Sequence, residues 1–387
     1  MMLPKNWSLV SIGEIAASGR GTFSNGPFGS DLVKADLTDG GTPIIYIRDI
    51  RDGYYDRVSA SCVTEKKAEQ LSACWVKPGD VLITKVGDPP GTAAVYPEDQ
   101  PLGIVTQDVI RLRLNSEVAD SRYVRNWLNS PLGKHAVKSI TVEATRARFP
   151  LGDFKNLKLP LPPIAEQRRI AAILDRADAV RRKRQEAIAL TEELLRLAFL
   201  EMFGDLFAFT SNYGDSHPKG WIKCQLGDQL TLQRGFDIMQ KQCLEGDHPV
   251  ISFGGISAYH SEYKAIGPGV LLGRKGSVGR VHYVQENYWP HDTTLWVKDF
   301  KGNHPTFIYY FFKLFPISNF EESTANPTLN RNRLHPVEVF WPTYDYQTRF
   351  ASVFESLNKC RRFNESAISE SDNLFNSLLQ RAFRGEL

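Results

Sequence analysis

The sequence predicts an α+β chain of two α/β modules related by pseudo-twofold symmetry and joined by two long antiparallel helices that form a coiled-coil-like spacer. Three observations predict it: one segment recurs at a constant spacing, both copies carry helical periodicity, and the stretch before each copy repeats the same turn motifs. The modules are expected at 1–160 and 205–342, and the helices at 161–204 and 343–387.

The recurrent segment is LPLPPIAEQRRIAAILDRADAVRRKRQ from Leu159 and VFWPTYDYQTRFASVFESLNKCRRFNE from Val339. A spacing of 180 pairs Pro162 with Pro342, Gln167 with Gln347, Arg169 with Arg349 and Arg181–Arg182 with Arg361–Arg362. Continued without a gap, it places Leu194 over Leu374 and Phe203 over Phe383. Apolar residues fall at steps of three and four in both copies, as in Ile170, Leu174, Ala177 and Val180, or Phe350, Phe354, Leu357 and Cys360. No Pro or Gly interrupts Ile164 to Phe203 or Tyr344 to Arg384. Each stretch therefore predicts a helix of nearly 40 residues, roughly 60 Å at 1.5 Å per residue. Matched apolar stripes of that length call for mutual packing. Arg184 with Asn364, and Thr191 with Ser371, interrupt the stripe. They fit its edge, or polar positions that fix register and antiparallel orientation.

The modules repeat with a drifting spacing. Pro4-Lys5-Asn6-Trp7 answers Pro218-Lys219-Gly220-Trp221, and Ile12-Gly13-Glu14-Ile15 answers Leu226-Gly227-Asp228-Gln229-Leu230. TPIIYIRDI from Thr42 answers HPVISFGGI from His248, and VKPGDVLITKVG from Val76 answers IGPGVLLGRKGS from Ile266. Loops are thus shorter in the second module. Short apolar runs bounded by Pro-Gly and Gly turns predict strands, with short helices at Ser121–Leu128 and Pro305–Leu314. With antiparallel helices, chain connectivity puts one module at each end of a dumbbell and brings the termini together.

Composition bounds the function. Hydrophobic residues at 42% and charged residues at 24% of 387 are globular values that argue against wholesale disorder. A net charge of +3 neither announces nor excludes a nucleic-acid ligand. The five cysteines are scattered singly, without a CxxC pair, which fits a reducing cytoplasm and argues against zinc or a disulfide framework. MMLPKNWSLV has no signal-peptide core, and no apolar run reaches the roughly 18 residues of a membrane span.

The motifs of catalysis are missing: no GxxxxGK[ST], HExxH, CxxC…CxxC or DxDxDG occurs, and Gly19-Arg20-Gly21 fails the dinucleotide fingerprint. Asp88-Pro89-Pro90-Gly91 stands one residue from the D/N-P-P-aromatic motif that stacks a flipped base, but with Gly in the fourth place it reads as a turn between strands. Asn326-Pro327-Thr328-Leu329 fails the same test. No catalytic or metal-ligating residue is assigned.

Two kinds of segment suit nucleic acid. One follows the Pro-Gly turn: Thr84-Lys85-Val86-Gly87, and Gly273-Arg274-Lys275-Gly276-Ser277-Val278-Gly279-Arg280. Glycines let backbone amides approach a phosphate and the cations supply charge, although a solvated hairpin has the same composition. The other precedes each helix: Thr145-Arg146-Ala147-Arg148-Phe149, and Asn326-Pro327-Thr328-Leu329-Asn330-Arg331-Asn332-Arg333. Arg suits the guanine edge and Asn the adenine edge, while plain loops carry the same residues. Ser24-Asn25-Gly26-Pro27-Phe28-Gly29-Ser30 and Gln233-Arg234-Gly235-Phe236-Asp237 are further candidates, equally readable as glycine turns. Arg181-Arg182-Lys183-Arg184 reads chiefly as a solvated helix face, with contact to the duplex backbone as the lesser alternative.

LPLPPIAEQRRIAAILDRADAV with the helix ending LLRLAFLEMFGD resembles the central conserved region of specificity subunits of type I restriction-modification enzymes. NGPFGSDLVKADLTDGGTPIIYIRDI, VLLGRKGSVGRVHYV and LFNSLLQRAFRGEL are similar to other segments of that family, so the resemblance covers essentially the whole chain. It implies a non-catalytic DNA-recognition subunit that reads a bipartite, asymmetric sequence in double-stranded DNA, one half-site per target-recognition domain, with the helices as a ruler. It also implies two methyltransferase (modification) subunits, which carry S-adenosylmethionine and modify adenine, and it leaves open whether two ATP-dependent restriction subunits join them. At 3.4 Å per base pair, a 60 Å spacer allows about 18 base pairs at most between the readers. Apolar residues outside the mutual seam (Leu190, Leu197, Phe199, Leu200), with Gln167 and Gln347, are the candidate docking residues. Tyr344-Asp345-Tyr346-Gln347 departs from the IAEQ pattern and leaves open whether both helices engage partners equally. A scaffold of the same shape that does not read DNA is the competing expectation.

Overall fold

The computed structural model describes residues 4–19, 21–27, 29–51, 53–143, 145–207, 219–238, 243, 246–276, 278–322 and 327–387. Arg20, Phe28, Pro218, Ser277 and Asn326, which belong to segments singled out in the sequence, lie outside them. The chain divides into two compact units, Met1–Arg184 with Ala367–Leu387 (unit 1) and Gln185–Ser366 (unit 2).

The two long helices run Ile164–Phe203 and Tyr344–Ala382. Each unit contains one module and half of each helix, because a helix with a single apolar stripe is stable only when that stripe is covered. In unit 1, Ile170, Ala171 and Leu174 of the first helix share a core with Leu379 and Ala382 of the second, and with Phe383. In unit 2, Leu195, Phe199 and Phe203 share one with Phe350 and Phe354. The pairings are antiparallel within each unit. Arg181 reaches Asp372 at 3.9 Å in unit 1, and Arg361 reaches Glu192 at 3.4 Å in unit 2. Leu194 and Leu374, expected in the stripe, are instead half exposed.

Both modules are built on one plan. An antiparallel sheet of four strands runs Phe23–Asn25, Val109–Leu112, Val81–Thr84, Ala93–Val95 in unit 1. Its counterpart in unit 2 runs Thr231–Arg234, Thr294–Asp299, Gly269–Gly273, Val281–Val284. A second sheet contains a parallel pair in each, Thr42–Ile45 with Gly103–Val105 and His248–Ser252 with Trp289–Pro290. Among the described residues, this sheet has five strands in unit 1 and three in unit 2. TPIIYIRDI and HPVISFGGI thus begin alike and then diverge. The first turns away at Ile47–Asp49, held by the buried Asp49 carboxylate, which accepts from the Tyr46, Val58 and Ser59 amides at 2.8, 3.1 and 2.9 Å. A two-stranded ribbon, Ser8–Ser11 with Lys158–Leu161 or Ile222–Gln225 with Glu338–Trp341, leads each module into its helix.

Gln167 and Gln347 fasten those junctions. Gln167 is fully buried; its Oε1 accepts from the Asp120 amide at 2.9 Å and its Nε2 donates to the Val118 and Pro162 carbonyls at 2.9 and 2.8 Å. Gln347 accepts from the His304 amide at 2.9 Å and donates to Asn303 Oδ1 and the Pro342 carbonyl at 2.7 and 3.2 Å. Asp120 and His304 are the N-caps of helices Ser121–Asn129 and Pro305–Leu314. One amide side chain thereby ties a module helix to a long helix in each unit, and neither glutamine is free to meet a partner.

Candidate nucleic-acid interface

In each unit the segments singled out in the sequence converge at one end of the four-stranded sheet. Hydrogen bonding in an antiparallel sheet fixes which loops meet there. In unit 1, the Lys85 amide donates to the Asp108 carbonyl at 2.8 Å, the Gly87 amide to Ala147 at 3.1 Å, and the Gly26 amide to Thr106 at 3.2 Å. Val86 forms a bridge with Arg148. In unit 2, the Arg274 amide donates to Thr293 at 2.8 Å, the Leu329 amide to Arg274 at 2.9 Å, and the Gly235 amide to Thr294 at 3.1 Å. Lys275 forms a bridge with Thr328. Lys85 and Arg274, Gly26 and Gly235, and Arg148 and Thr328 therefore occupy matching places in the two modules.

Glycine at these corners is a packing requirement. A Cβ on Gly26 would lie 2.1 Å from the Val105 carbonyl oxygen, and one on Gly235 would lie 2.2 Å from that of His291. No side chain fits where the chain passes so close to a neighbouring backbone.

Charge accumulates at these corners without full compensation. Burial, and then the Arg148 guanidinium, hold the Lys85 ammonium below the ordinary lysine range, against the pull of Asp108. Arg146 and Arg148 are exposed, and among the described residues neither they nor Lys85 form an ion pair. An anion between Lys85 and Arg148 would relieve their repulsion.

In unit 2, a cleft of about 690 Å³ is lined by Gln233, Arg234, Arg274, Asn330, Arg331 and Asn332. Arg234 is paired with Asp237 and Asp292, both at 3.0 Å. The Arg274 guanidinium carries a buried Nη1 without a hydrogen-bond partner. Asn330 caps the helix Arg331–Leu334 through Oδ1, at 3.0 Å from the Asn332 amide. Arg333 is exposed on that helix, outside the lining of the cleft. Lys275 and Arg280 are exposed on the turn between Gly269–Gly273 and Val281–Val284, where the Gly273 amide donates to the Arg280 carbonyl at 2.7 Å. Asp88-Pro89-Pro90-Gly91 forms the turn between Val81–Thr84 and Ala93–Val95, closed by the Gly91 amide on the Thr84 carbonyl at 2.8 Å.

Asp108 and Asp292 are residues that sequence reasoning missed. Each falls in the stretch just before a sheet strand, TQDVIRL or HDTTLWV, and aligning those strands would have brought both acids to notice.

The docking candidates separate. Leu190 and Leu197 are 61% and 49% exposed, and Leu194, at 51%, joins them at helical spacing on one face. Leu200 is partly buried. Phe199 does not belong to that face. It is fully buried, with its ring centroid 4.8 Å from Phe203 and 5.0 Å from Phe350. Its helical position turns inward, toward the module core.

Among known proteins, the profile of the type I restriction modification DNA specificity domain matches residues 4–191 and 218–371. The chain belongs to this family. The type I specificity subunit EcoBI of Escherichia coli is 27% identical over 209 residues, covering 51% of the chain and 42% of that protein. The MjaIX type I specificity subunit of Methanocaldococcus jannaschii is 23% identical over 249 residues, covering 62% and 55%. The matched region thus spans about half the length of these curated relatives. The type I S subunit of M. genitalium superposes with a TM-score of 0.64 at 15% identity, covering 99% of the chain and 98% of its own. A structure described under complex assembly and conformational transition of the type I system gives 0.53 at 18% identity, with complete coverage of both chains. At such identities the likeness is one of fold, and it extends over both units of this specificity-family chain. Among the described residues, no helix is long and apolar enough to cross a membrane.

Proposed function

We propose that this specificity-family chain reads a bipartite, asymmetric target in double-stranded DNA, one half-site per module, and supplies recognition to partners that carry the chemistry. The observation that supports this most is the matched convergence of loops: the same corner recurs in both units with different residues on it. Lys85, Arg146 and Arg148 furnish cations in unit 1, whereas in unit 2 Gln233, Asn330 and Asn332 add amides to the cations of Arg234, Arg274 and Arg331. Cations position a backbone, and Arg, Asn and Gln edges discriminate bases. Unlike corners on a common frame suit unlike half-sites.

The exposed stripe Leu190, Leu194 and Leu197 serves as a docking face for two methyltransferase subunits, on which S-adenosylmethionine binds and adenine is modified. ATP-dependent restriction subunits join through them. The helices act as the ruler that keeps the two half-sites in register.

Exchanging residues 1–158 for the module of another family member tests the reading. Mapping of methylated adenines in cells carrying the hybrid should show one half of the target changed and the other retained. If both halves change, or modification continues unaltered, division of recognition between the modules is wrong.

A further inference from the structure

Each unit holds a cleft between a module helix and the long helices, and the duplication puts the two clefts in equivalent positions. In unit 1 the cleft is small, about 110 Å³, and its lining includes Arg125, Asn129, Asp178 and Arg181. In unit 2 it is about 590 Å³ and its lining includes Tyr309, Tyr310, Lys313, Asn358, Arg361 and Arg362. The 180-residue repeat matches Asp178 with Asn358, Arg181 with Arg361 and Arg182 with Arg362. Aligning the N-caps Asp120 and His304 matches Arg125 with Tyr309 and Asn129 with Lys313.

The two clefts differ in how their cations are balanced. In unit 1 the buried Asp178 carboxylate receives both arginines, Arg181 at 2.7 Å and Arg182 at 2.8 Å. The equivalent Asn358 is equally buried but neutral, and its Oδ1 accepts from Arg361 Nε at 3.2 Å. Arg361 is left with looser pairs to Glu192 and Glu365 at 3.4 and 3.7 Å. Arg362 has no ion pair among the described residues, and the exposed Lys313 ammonium lies 5.3 Å from the Tyr310 ring centroid. Among the described lining residues, the only carboxylate is Glu286. The second unit has thus kept the cations, lost the internal anion that closes the first, and opened a space beside them.

We propose that this cleft receives a carboxylate-bearing segment of a partner protein, with an aromatic or aliphatic side chain beside the acid. In unit 1 a carboxylate already balances the equivalent cations, which fixes the charge of the group expected beside Arg361 and Arg362. Leu195, Ile256 and Phe354 on the cleft wall favour a peptide over a sugar-phosphate chain, since they offer apolar surface to a neighbouring side chain. The proposal does not depend on which DNA sequence the modules read.

The test uses the full chain and the peptide acetyl-Phe-Asp-Glu-Phe-amide, followed by titration calorimetry. Asn358→Asp, nearly isosteric, restores the internal anion and is expected to weaken peptide binding roughly fivefold, the scale of one exposed charge pair. Arg362→Glu should do the same, and a Phe-Asn-Gln-Phe peptide should bind correspondingly less well to the unaltered chain. If Asn358→Asp disturbs folding, Arg362→Glu gives the same reading, because it removes no internal ion pair. The proposal is overturned if the acidic peptide does not bind, or if it binds the variants as it binds the parent. Displacement by inorganic phosphate or a short DNA duplex at constant ionic strength would also overturn it, by assigning the cleft to phosphate.

Discussion

At the scale of single residues, polar groups divide sharply into those consumed by the fold and those left for a ligand. Gln167 and Gln347 are consumed. Gln167→Leu keeps the volume but strands the Asp120 amide and two carbonyls, so chemical denaturation should show a loss of about 1–3 kcal/mol; a change within error would remove the glutamine from its fastening role. Lys85 stands on the other side. Lys85→Ala should weaken binding to every duplex alike and reduce the slope of log K against log salt by about one. A change in sequence preference at unchanged slope would instead make Lys85 a base reader. The roles of the glutamines were illegible in the sequence, where a glutamine near a helix start looks like surface. Only the structure reveals that the side chain points into a junction lined by backbone groups. Lys85 and Arg148 were legible as candidates one by one, but their adjacency was not, since strand register and not sequence distance brings them together.

At the scale of elements, the long helices were readable almost to the residue, because a 3.6-residue apolar period uninterrupted by Pro or Gly leaves few alternatives. Which apolar residues face the module was not readable, since the stripe is wider than the interface that uses it. Phe199 and Leu197, two positions apart, show the consequence. Phe199→Ala removes a ring packed among Phe203, Phe307, Tyr310 and Phe350, and should cost about 3–5 kcal/mol by urea denaturation. Leu197→Ala, half exposed, should change stability by less than about 0.5 kcal/mol while weakening capture of the methyltransferase subunits. Equal stability losses in the two variants would contradict the division between core and docking face. The strands were legible from short apolar runs and the turns that bound them. Their pairing order was not, because non-local pairing leaves little trace in a single segment.

At the scale of the whole molecule, the two units share a plan but are expected to differ in their response to acid. His282, His304 and His335 all lie in unit 2, and burial holds each below the ordinary histidine range. His335 Nε2 accepts from the Leu232 amide at 3.1 Å, and His304 Nδ1 accepts from the Thr306 amide at 3.3 Å, so these nitrogens must be unprotonated. The unfolded chain takes up protons at higher pH than the folded one, so stability falls as pH drops through the ordinary value of about 6.5. Hydrogen exchange between pH 7 and 5 should therefore show unit 2 losing protection ahead of unit 1, and His335→Gln should lessen the difference. Uniform loss in both units would contradict this.

The assignment of residues 367–387 to unit 1 has a consequence for synthesis on the ribosome. Leu379, Ala382 and Phe383 complete a core whose other members are translated more than two hundred residues earlier. Unit 2 is a single uninterrupted stretch of chain. The first module to emerge must therefore wait with an unfinished interior while the later one is made and can close, so completion runs in the reverse order of translation. A released chain truncated after residue 366 should yield a protease-resistant fragment from the second module and none from the first.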